Sequence, residues 1–415
     1  MRRDLLITLV VIVILVLVVV VNIIQILYNH MFLQRLLKDT RPSERLREGL
    51  DRGLIVVSPC RASKMSREDL GNFMRTLREF SRISDNIKIL IVVDNEIERE
   101  ILRRDLAISS IEILISSESV CKYCSKKIRA ILTALESLRD VREENSILIL
   151  IDCDAYFKNL NICVHSLVET LARHENSLIS GYRWYLLDSF CGSLYNLISS
   201  LYFESVSFQR TRIVWGGFMS SFKFLIDRYS VVRELSDEIA DDAAMRRVFV
   251  RNRARVVFNP YCIGFTEVSC ERDWFRRFIE WSTRQLLMIR IYTPKGFYHV
   301  LAGYLIIALS MLSPLYVFFF GSLGETLISL FLSLTLYVSG VMKSIILTSF
   351  ISKIHGARHA YGKLRYLAVY SLLTGVRVFI ALPLLIKTIF IKSFKWRDTT
   401  YCIISENKRI KAVPC

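Results

Sequence analysis

Leu5 to Leu27 is a run of 23 residues without a charge, in which only Thr8, Asn22 and Gln25 are polar. As a helix rising about 1.5 Å per residue it reaches roughly 35 Å, enough to cross the hydrocarbon core of a bilayer. A secretory signal would have a shorter apolar region and a small-residue cleavage site, and no such site follows. Residues 1–28 are therefore expected to be a retained transmembrane helix, so the rest of the fold must begin beside a membrane.

The chain is strongly basic, with a formal net charge of +17 over 415 residues. Such a charge suits a face held against anionic lipid headgroups, or nucleic acid. No RNA- or DNA-reading motif occurs and the basic residues flank apolar segments, so nucleic acid is not an expected partner. Anionic lipid headgroups and ordinary positive-inside bias account for the charge equally well. Residues 29–53, beginning "NHMFLQRLLKDTRPSERLREGL", read as a basic juxtamembrane linker.

From residue 54 short apolar runs alternate with amphipathic stretches. "LIVVS" (54–58) precedes a helical pattern over 66–82, and "IKILIVVD" (87–94) precedes 96–106. "IEILI" (111–115) precedes 125–139, and "ILILI" (147–151) follows. Continuous β-branched runs separated by helices predict a parallel sheet buried on both faces. Sheets of that kind bind ligands beyond the carboxyl ends of their strands. Asp94 ends the second run, and Asp152 and Asp154 end the fourth, two residues apart and so on one face of the chain. Like charges placed that way repel, and a positive group is expected between them. Neither G-x-G-x-x-G after the first strand nor G-x-x-x-x-G-K occurs, which sets aside dinucleotide and P-loop sites. A carboxylate-lined crevice without a glycine cradle suits a nucleotide whose phosphates are met by Mg2+ or Mn2+.

The apolar signal returns after residue 297. Spans are expected near 300–320 and 326–351, joined by "GSLGE", with Lys343 interrupting the second. Residues 366–391 contain Arg377 and Pro383 and are expected to re-enter or lie in the interface, because a centrally placed arginine costs roughly 2.5–3.5 kcal/mol on insertion scales. Lys and Arg concentrate after the first span, before the second and in the 353–365 loop. That puts the domain on the cytoplasmic side of the cell membrane and the N-terminus outside. Residues 392–415 read as a cytoplasmic tail. Ten cysteines show no spaced framework; Cys121 and Cys124 form a lone C-x-x-C, for which unpaired thiols are the expectation and a local disulfide the alternative.

Asp94, the D-x-D of Asp152 and Asp154, "WGGFMSSF" (215–222), "ADDAAMRR" (240–247), "RFIEW" (277–281) and Trp396, Arg397 and Tyr401 occur in an order that resembles the GT-A nucleotide-sugar glycosyltransferases. The nearest likeness is to the ceramide glucosyltransferase-like membrane branch of the family 2/21 type, and it spans nearly all the chain from residue 54. It implies an α/β, Rossmann-like GT-A domain over 54–297, with interfacial helices near 189–206 and 274–292 and membrane helices over 298–391. For Ser189–Val206 a buried helix of the domain is an equal reading.

The resemblance also implies roles. Asp94 would contact the base or ribose of the donor, although Asn95 stands where the family has a second acid and a helix cap is the plainer role. Asp154 would bind the metal, with Asp152 sharing donor and metal. Asp242 matches the general base and Asp241 its acidic neighbour; an acid pair favoured by a helix N-terminus is the structural alternative. Gly216 and Gly217 would floor the donor site, or form a plain turn. Lys127 matches a donor-side lysine, or lies on a solvated helix face. Arg277 and Trp281 match a family element in which Glu280 replaces the basic residue, leaving Arg284 and Gln285 to supply polar contacts to the donor, unless the stretch simply lies on headgroups. The implied activity is inverting, metal-dependent transfer of one hexosyl group from a nucleotide-diphosphate sugar, with UDP the expected nucleotide, to a membrane lipid acceptor. The competing readings are a processive polysaccharide synthase, for which three C-terminal apolar segments are few, and a non-catalytic lipid-binding protein.

Overall fold

The computed structural model describes residues 2–42, 52–106, 110–121, 123–139, 145–207, 213–396, 399–406 and 409–415. In chain order the elements are α1 (Arg2–Thr40), β1 (Leu54–Pro59), α2 (Arg67–Phe80), β2 (Ile87–Val93), α3 (Glu96–Asp105), β3 (Ile111–Ile115), α4 (Lys126–Ser137) and β4 (Ile147–Ile151). There follow α5 (Leu160–Arg173), β5 (Ser177–Tyr185), α6 (Phe190–Ser207), β6 (Phe218–Phe222), α7 (Lys223–Arg228), α8 (Val231–Leu235), α9 (Asp241–Arg251) and β7 (Arg255–Thr266). The C-terminal part holds α10 (Trp274–Tyr292), α11 (Pro294–Phe320), α12 (Leu323–His355), α13 (Ala357–Tyr361), α14 (Leu364–Gly375), α15 (Arg377–Phe390), β8 (Ser393–Trp396), β9 (Thr399–Glu406) and β10 (Arg409–Pro414).

The expected α/β class with a mostly parallel sheet is what forms. Seven strands lie in the order β3-β2-β1-β4-β6-β5-β7. Only β6 runs against its neighbours, pairing antiparallel with β4 and β5. Every residue of β1 and β4 is buried, as continuous Val, Leu and Ile runs require when helices cover the sheet. Side-chain caps start the helices near the strand ends. Ser66 accepts from the Asp69 amide at 3.0 Å, Asn95 from Glu98 at 3.1 Å and Ser125 from Ile128 at 3.3 Å. On α2, Phe73, Met74, Leu77 and Phe80 fall on one face and are buried, the spacing of a helix laid on a core.

Three helices are long and apolar enough to cross a membrane: Ile7–Thr40, Pro294–Phe320 and Leu323–His355. Their polar residues find one another. Lys343, which was expected to interrupt the second C-terminal span, sits inside an unbroken helix because its ammonium donates to Asn22 Oδ1 at 3.1 Å and Gln25 Oε1 at 3.0 Å on α1. At the "GSLGE" turn Ser322 and Glu325 form a reciprocal capping box that starts α12. α14 and α15 meet at a 65° bend, as in a broken span or a re-entrant loop. Arg377 opens α15 at that bend, buried, and donates to Ser200 Oγ on α6 at 2.9 Å.

Three expectations are corrected. Residues 29–40 are no linker: α1 continues to Thr40 and docks on the α/β domain, where Ser166 Oγ donates to the Thr40 carbonyl at 2.6 Å. The segment after 392 is no plain tail but an antiparallel sheet, β8-β9-β10, with Tyr401 and Ala412 packed on Leu287 and Ile291 of α10. Arg397 lies outside the described residues. Most cysteines are paired, as Cys121–Cys124, Cys163–Cys262, Cys191–Cys270 and Cys402–Cys415, leaving Cys60 and Cys153 free. The partners of the second and third pairs are 99 and 79 residues apart, so only the folded topology brings them together.

Candidate active site

The antiparallel insertion of β6 builds the site. Because β6 reverses direction, its first residues lie beside the last residues of β4, Ile151 opposite Phe218. The pairing continues one step further, where the Asp152 amide donates to the Gly217 carbonyl at 3.1 Å. β5 runs with β4 and extends past the start of β6, carrying Arg183 to the same rim. Two helix starts complete it. The Ser125 amide, at the head of α4, donates to the Glu238 carbonyl at 3.2 Å, which ties the first turn of α4 to the segment leading into α9.

Four carboxylates and two cations meet there. The Lys127 ammonium lies 2.8 Å from Asp152 Oδ1 and 2.9 Å from Asp241 Oδ2, and donates to the Gly216 carbonyl at 3.0 Å. A cation in the first turn of a helix opposes the helix dipole; three acceptors offset that here. Burial would lower the Lys127 pKa, but Asp152 and Asp241 outweigh it and raise the value well above its ordinary range. The Arg183 guanidinium forks onto Asp154, at 2.7 and 3.0 Å, and reaches Asp152 Oδ2 at 3.0 Å. The positive group that the D-x-D spacing demanded is thus Arg183 on one side and Lys127 on the other.

Asp242 follows Asp241 at the head of α9. Its Oδ2 accepts from the Gly216 amide at 3.3 Å and its Oδ1 from the Ala243 amide at 2.7 Å. Burial pushes its pKa up, the charge of Asp241 adds to the effect, and together they carry it to about 7. Burial also raises Asp241, with Asp152 adding to it and Lys127 opposing. At Asp154 burial acts upward too, but Arg183 prevails and holds the carboxyl below its usual range. A group near 7 that faces the rim is poised to exchange a proton at neutral pH.

The glycines do other work than the sequence suggests. A Cβ on Gly217 would stand 1.8 Å from the Trp215 ring, and one on Gly216 would stand 3.0 Å from Asp241 Oδ2 and Lys127 Nζ. The space a side chain would fill therefore holds Trp215 and the Lys127–Asp241 pair, not an open floor. Asp94 sits at the end of β2 and pairs with Arg61 at 3.3 Å. Asn95 takes over the capping of α3, leaving Asp94 out of that role.

The remaining candidates lie on α10. Arg277 is not brought to the carboxylates; it is half exposed and forks onto Glu271 at 3.1 and 3.2 Å. Glu280 pairs with Arg276 at 2.9 Å. Trp281 packs against Tyr185 and Tyr195, with ring centroids 5.5 and 4.7 Å away. Arg284 lies 5.6 Å over the Trp396 ring, and Gln285 is half-buried beside it. α10 nonetheless touches the site indirectly: Tyr292 Oη accepts from the Ile239 and Ala240 amides at 3.3 and 3.2 Å, just ahead of Asp241.

One functional candidate escapes sequence reading. Arg183 stands in "SGYRWYLL" as one polar residue in a strand, indistinguishable from a solvated one.

The four acids outnumber Lys127 and Arg183, so the rim can accept another cation. Asp152 and Asp154 are hard oxygen donors at one strand end, the set that Mg2+ or Mn2+ takes together with substrate phosphates. The residues fit such an ion, provided Arg183 yields carboxylate oxygens to it. Among the described residues no cluster of three or more His, Cys, Asp or Glu is arranged to hold a metal unaided.

No protein-family profile matches the sequence, and no curated protein matches it. Among solved structures the chain is similar to a mannosyltransferase from Pyrobaculum calidifontis in complex with GDP-Man and Mn2+. That match has 15% identity and a TM-score of 0.45, and covers 92% of this chain and 99% of that one. It is also similar to glucosyl-3-phosphoglycerate synthase from Mycobacterium tuberculosis in complex with phosphoglyceric acid, at 12% identity and a TM-score of 0.37, covering 58% of this chain and 79% of that one. The same enzyme in complex with Mg2+ and UDP matches at 13% identity and a TM-score of 0.35, covering 58% of this chain and 78% of that one.

Proposed function

We propose that this chain is a GT-A-type glycosyltransferase that moves one hexosyl group from a nucleotide-diphosphate sugar to a membrane lipid, inverting the anomeric carbon. The observation that carries the reading is the convergence of Asp152 and Asp154 from β4 with Asp241 and Asp242 from α9, bridged by Lys127. In this reading one pair of acids meets the leaving diphosphate. The other contains a carboxyl with a pKa near 7.

In this reading Asp242 takes the proton from the acceptor hydroxyl as its oxygen attacks the anomeric carbon. Gly216 and Ala243 amides hold the carboxylate while it waits. Lys127 keeps Asp241 and Asp152 at a fixed spacing, so that the acceptor and donor sides of the rim stay in register. Asp94 contacts the base or ribose. Mg2+ or Mn2+ held by Asp154 and Asp152 would neutralise charge developing on the leaving diphosphate.

A membrane acceptor fits the way the rim is mounted. Tyr292 joins the segment before Asp241 to α10, and α10 runs straight into the candidate span α11. Trp281 of α10 clusters with Tyr185 of β5 and Tyr195 of α6 as an aromatic patch. The resemblance in sequence to the ceramide glucosyltransferase-like branch makes a hydroxylated lipid the first acceptor to try. The deciding experiment is lipid labelling by membranes carrying wild type, Asp154→Ala and Asp242→Asn, over a panel of UDP- and GDP-sugars. Wild-type labelling lost in both variants supports the reading; labelling that survives both removes it, and a long-chain product replaces it with a polymerase.

A further inference from the structure

All four carboxylate oxygens of Asp152 and Asp154 are already engaged. Lys127 takes Asp152 Oδ1, and Arg183 takes Asp152 Oδ2 and both oxygens of Asp154. The guanidinium that does this is inside the protein, its side chain only 15% exposed. The Trp215 ring lies 5.3 Å from its central carbon. The Tyr185 side chain also lies against the guanidinium, so the two acids, the ring and Tyr185 hold the head group.

We propose that Arg183 is a resident counter-ion of the donor site, which keeps the Asp152–Asp154 pair from binding a divalent cation until a nucleoside diphosphate arrives. This rests on the donor-site reading above. A metal and the guanidinium compete for the same oxygens, and a divalent ion brought beside Arg183 and Lys127 meets two positive charges. A diphosphate changes that balance. It supplies oxygens that a planar guanidinium binds as well as it binds carboxylate, and negative charge that lets metal, Arg183 and Lys127 share one site. Metal and nucleotide are therefore coupled, each raising the affinity of the other by the same factor. Arg183 acts as a positioning residue for the acids while the donor is absent, and turns to the diphosphate when it is present.

The test reads binding, not turnover: Mn2+ titrations of the full-length protein in detergent, followed by the electron spin resonance signal of the free ion. They are run with and without UDP or GDP, for wild type, Arg183→Gln and Arg183→Lys. In wild type, a nucleoside diphosphate is expected to tighten Mn2+ at least about tenfold. Arg183→Gln frees three carboxylate oxygens, and is expected to bind Mn2+ alone at least about tenfold more tightly than wild type while its coupling to nucleotide shrinks. Arg183→Lys keeps the charge and is expected to stay near wild type. Equal affinity for Mn2+ alone in wild type and Arg183→Gln overturns the proposal, as does coupling that survives in the glutamine variant. Should that variant not fold, tight Mn2+ binding by nucleotide-free wild type overturns it without a substitution. Failure of wild type to bind UDP or GDP at saturating Mn2+ overturns the glycosyltransferase reading instead, and the comparison made with Mn2+ alone still decides the role of Arg183.

Discussion

The amide of Gly216 donates to Asp242 Oδ2 at 3.3 Å, while the carbonyl of the same residue accepts from Lys127 at 3.0 Å. One residue thus touches, through its two flanking peptide groups, both the acid proposed as base and the cation that ties Asp241 to Asp152. Any shift of the β6 start moves the two halves of the rim together.

Lys127 is expected to matter for folding as well as for chemistry. Removing one member of a buried ion pair costs about 3–5 kcal/mol, because the partner charge is left stranded. Lys127→Met strands two acids and should lower the melting temperature sharply. Adding Asp241→Asn should recover part of the loss, since the double variant strands one charge fewer. Thermal melts of the two single variants and the double check this, and strictly additive losses would contradict the shared bridge.

Asp242 should show opposite effects on activity and stability. Its folded pKa, about 7, lies above the ordinary carboxylate value. The folded state therefore holds more protons than the unfolded one between those limits, and this group's contribution to stability falls as pH rises through the window. Asp242→Asn removes that slope. Relative to wild type, its melting temperature should climb between pH 5 and pH 8, while transfer drops by about 10²–10⁴.

For the wild type, kcat/KM should rise as pH increases, reach half its plateau near pH 7 and level off above it, where Asp242 is deprotonated. A rate profile flat from pH 5 to 8 would remove Asp242 as the base.

Alkylation followed by mass spectrometry should label two cysteines, Cys60 and Cys153, in the unreduced denatured protein, and all ten after reduction. The Cys163–Cys262 pair closes a 99-residue separation between α5 and β7. A cross-link closing a loop of about 100 residues contributes about 4.7 kcal/mol in the chain-entropy view, so Cys163→Ala with Cys262→Ala should melt at a clearly lower temperature.

Tyr292→Phe leaves the Ile239 and Ala240 amides without their acceptor, Tyr292 Oη. A buried group left unpaired costs about 1–3 kcal/mol. The expected result is a modest loss of stability with a larger fall in kcat than any change in KM for the donor, because the start of α9 loosens while the β4 acids stay put.

The first half of the sheet was open to reading from sequence because its strands are short runs dominated by Val, Leu and Ile, and the helices after the first three carry side-chain caps. The strands β1 to β4 fall within one residue of where those runs end. The later strands carry serine, glycine and aromatics, as "SLISGYRWY" does in β5, and their order in the sheet depends on the one reversed strand, β6. That reversal leaves no local mark. It is also what brings Arg183 onto the rim, which is why the site's second cation was hidden while its acids were plain. In the C-terminal segment the alternating "TTYCIISE" and "RIKAVP" did carry a hairpin signal, which the likeness of Trp396 and Tyr401 to a terminal motif obscured.

α12 is long and apolar enough to cross a membrane and runs as one helix of 33 residues to the point where it is fastened to the α/β domain. There the ring Nε2 of His355 bonds the Pro260 carbonyl at 3.1 Å, and Lys158 donates to the His355 carbonyl at 2.8 Å. A single helix of this length, once held by lipid at one end and by the domain at the other, has no joint in between. When such a helix meets a thinner bilayer it tilts, and the domain bolted to it must lean by a similar angle. Acyl-chain length therefore becomes a variable that sets how high the rim stands above the headgroups.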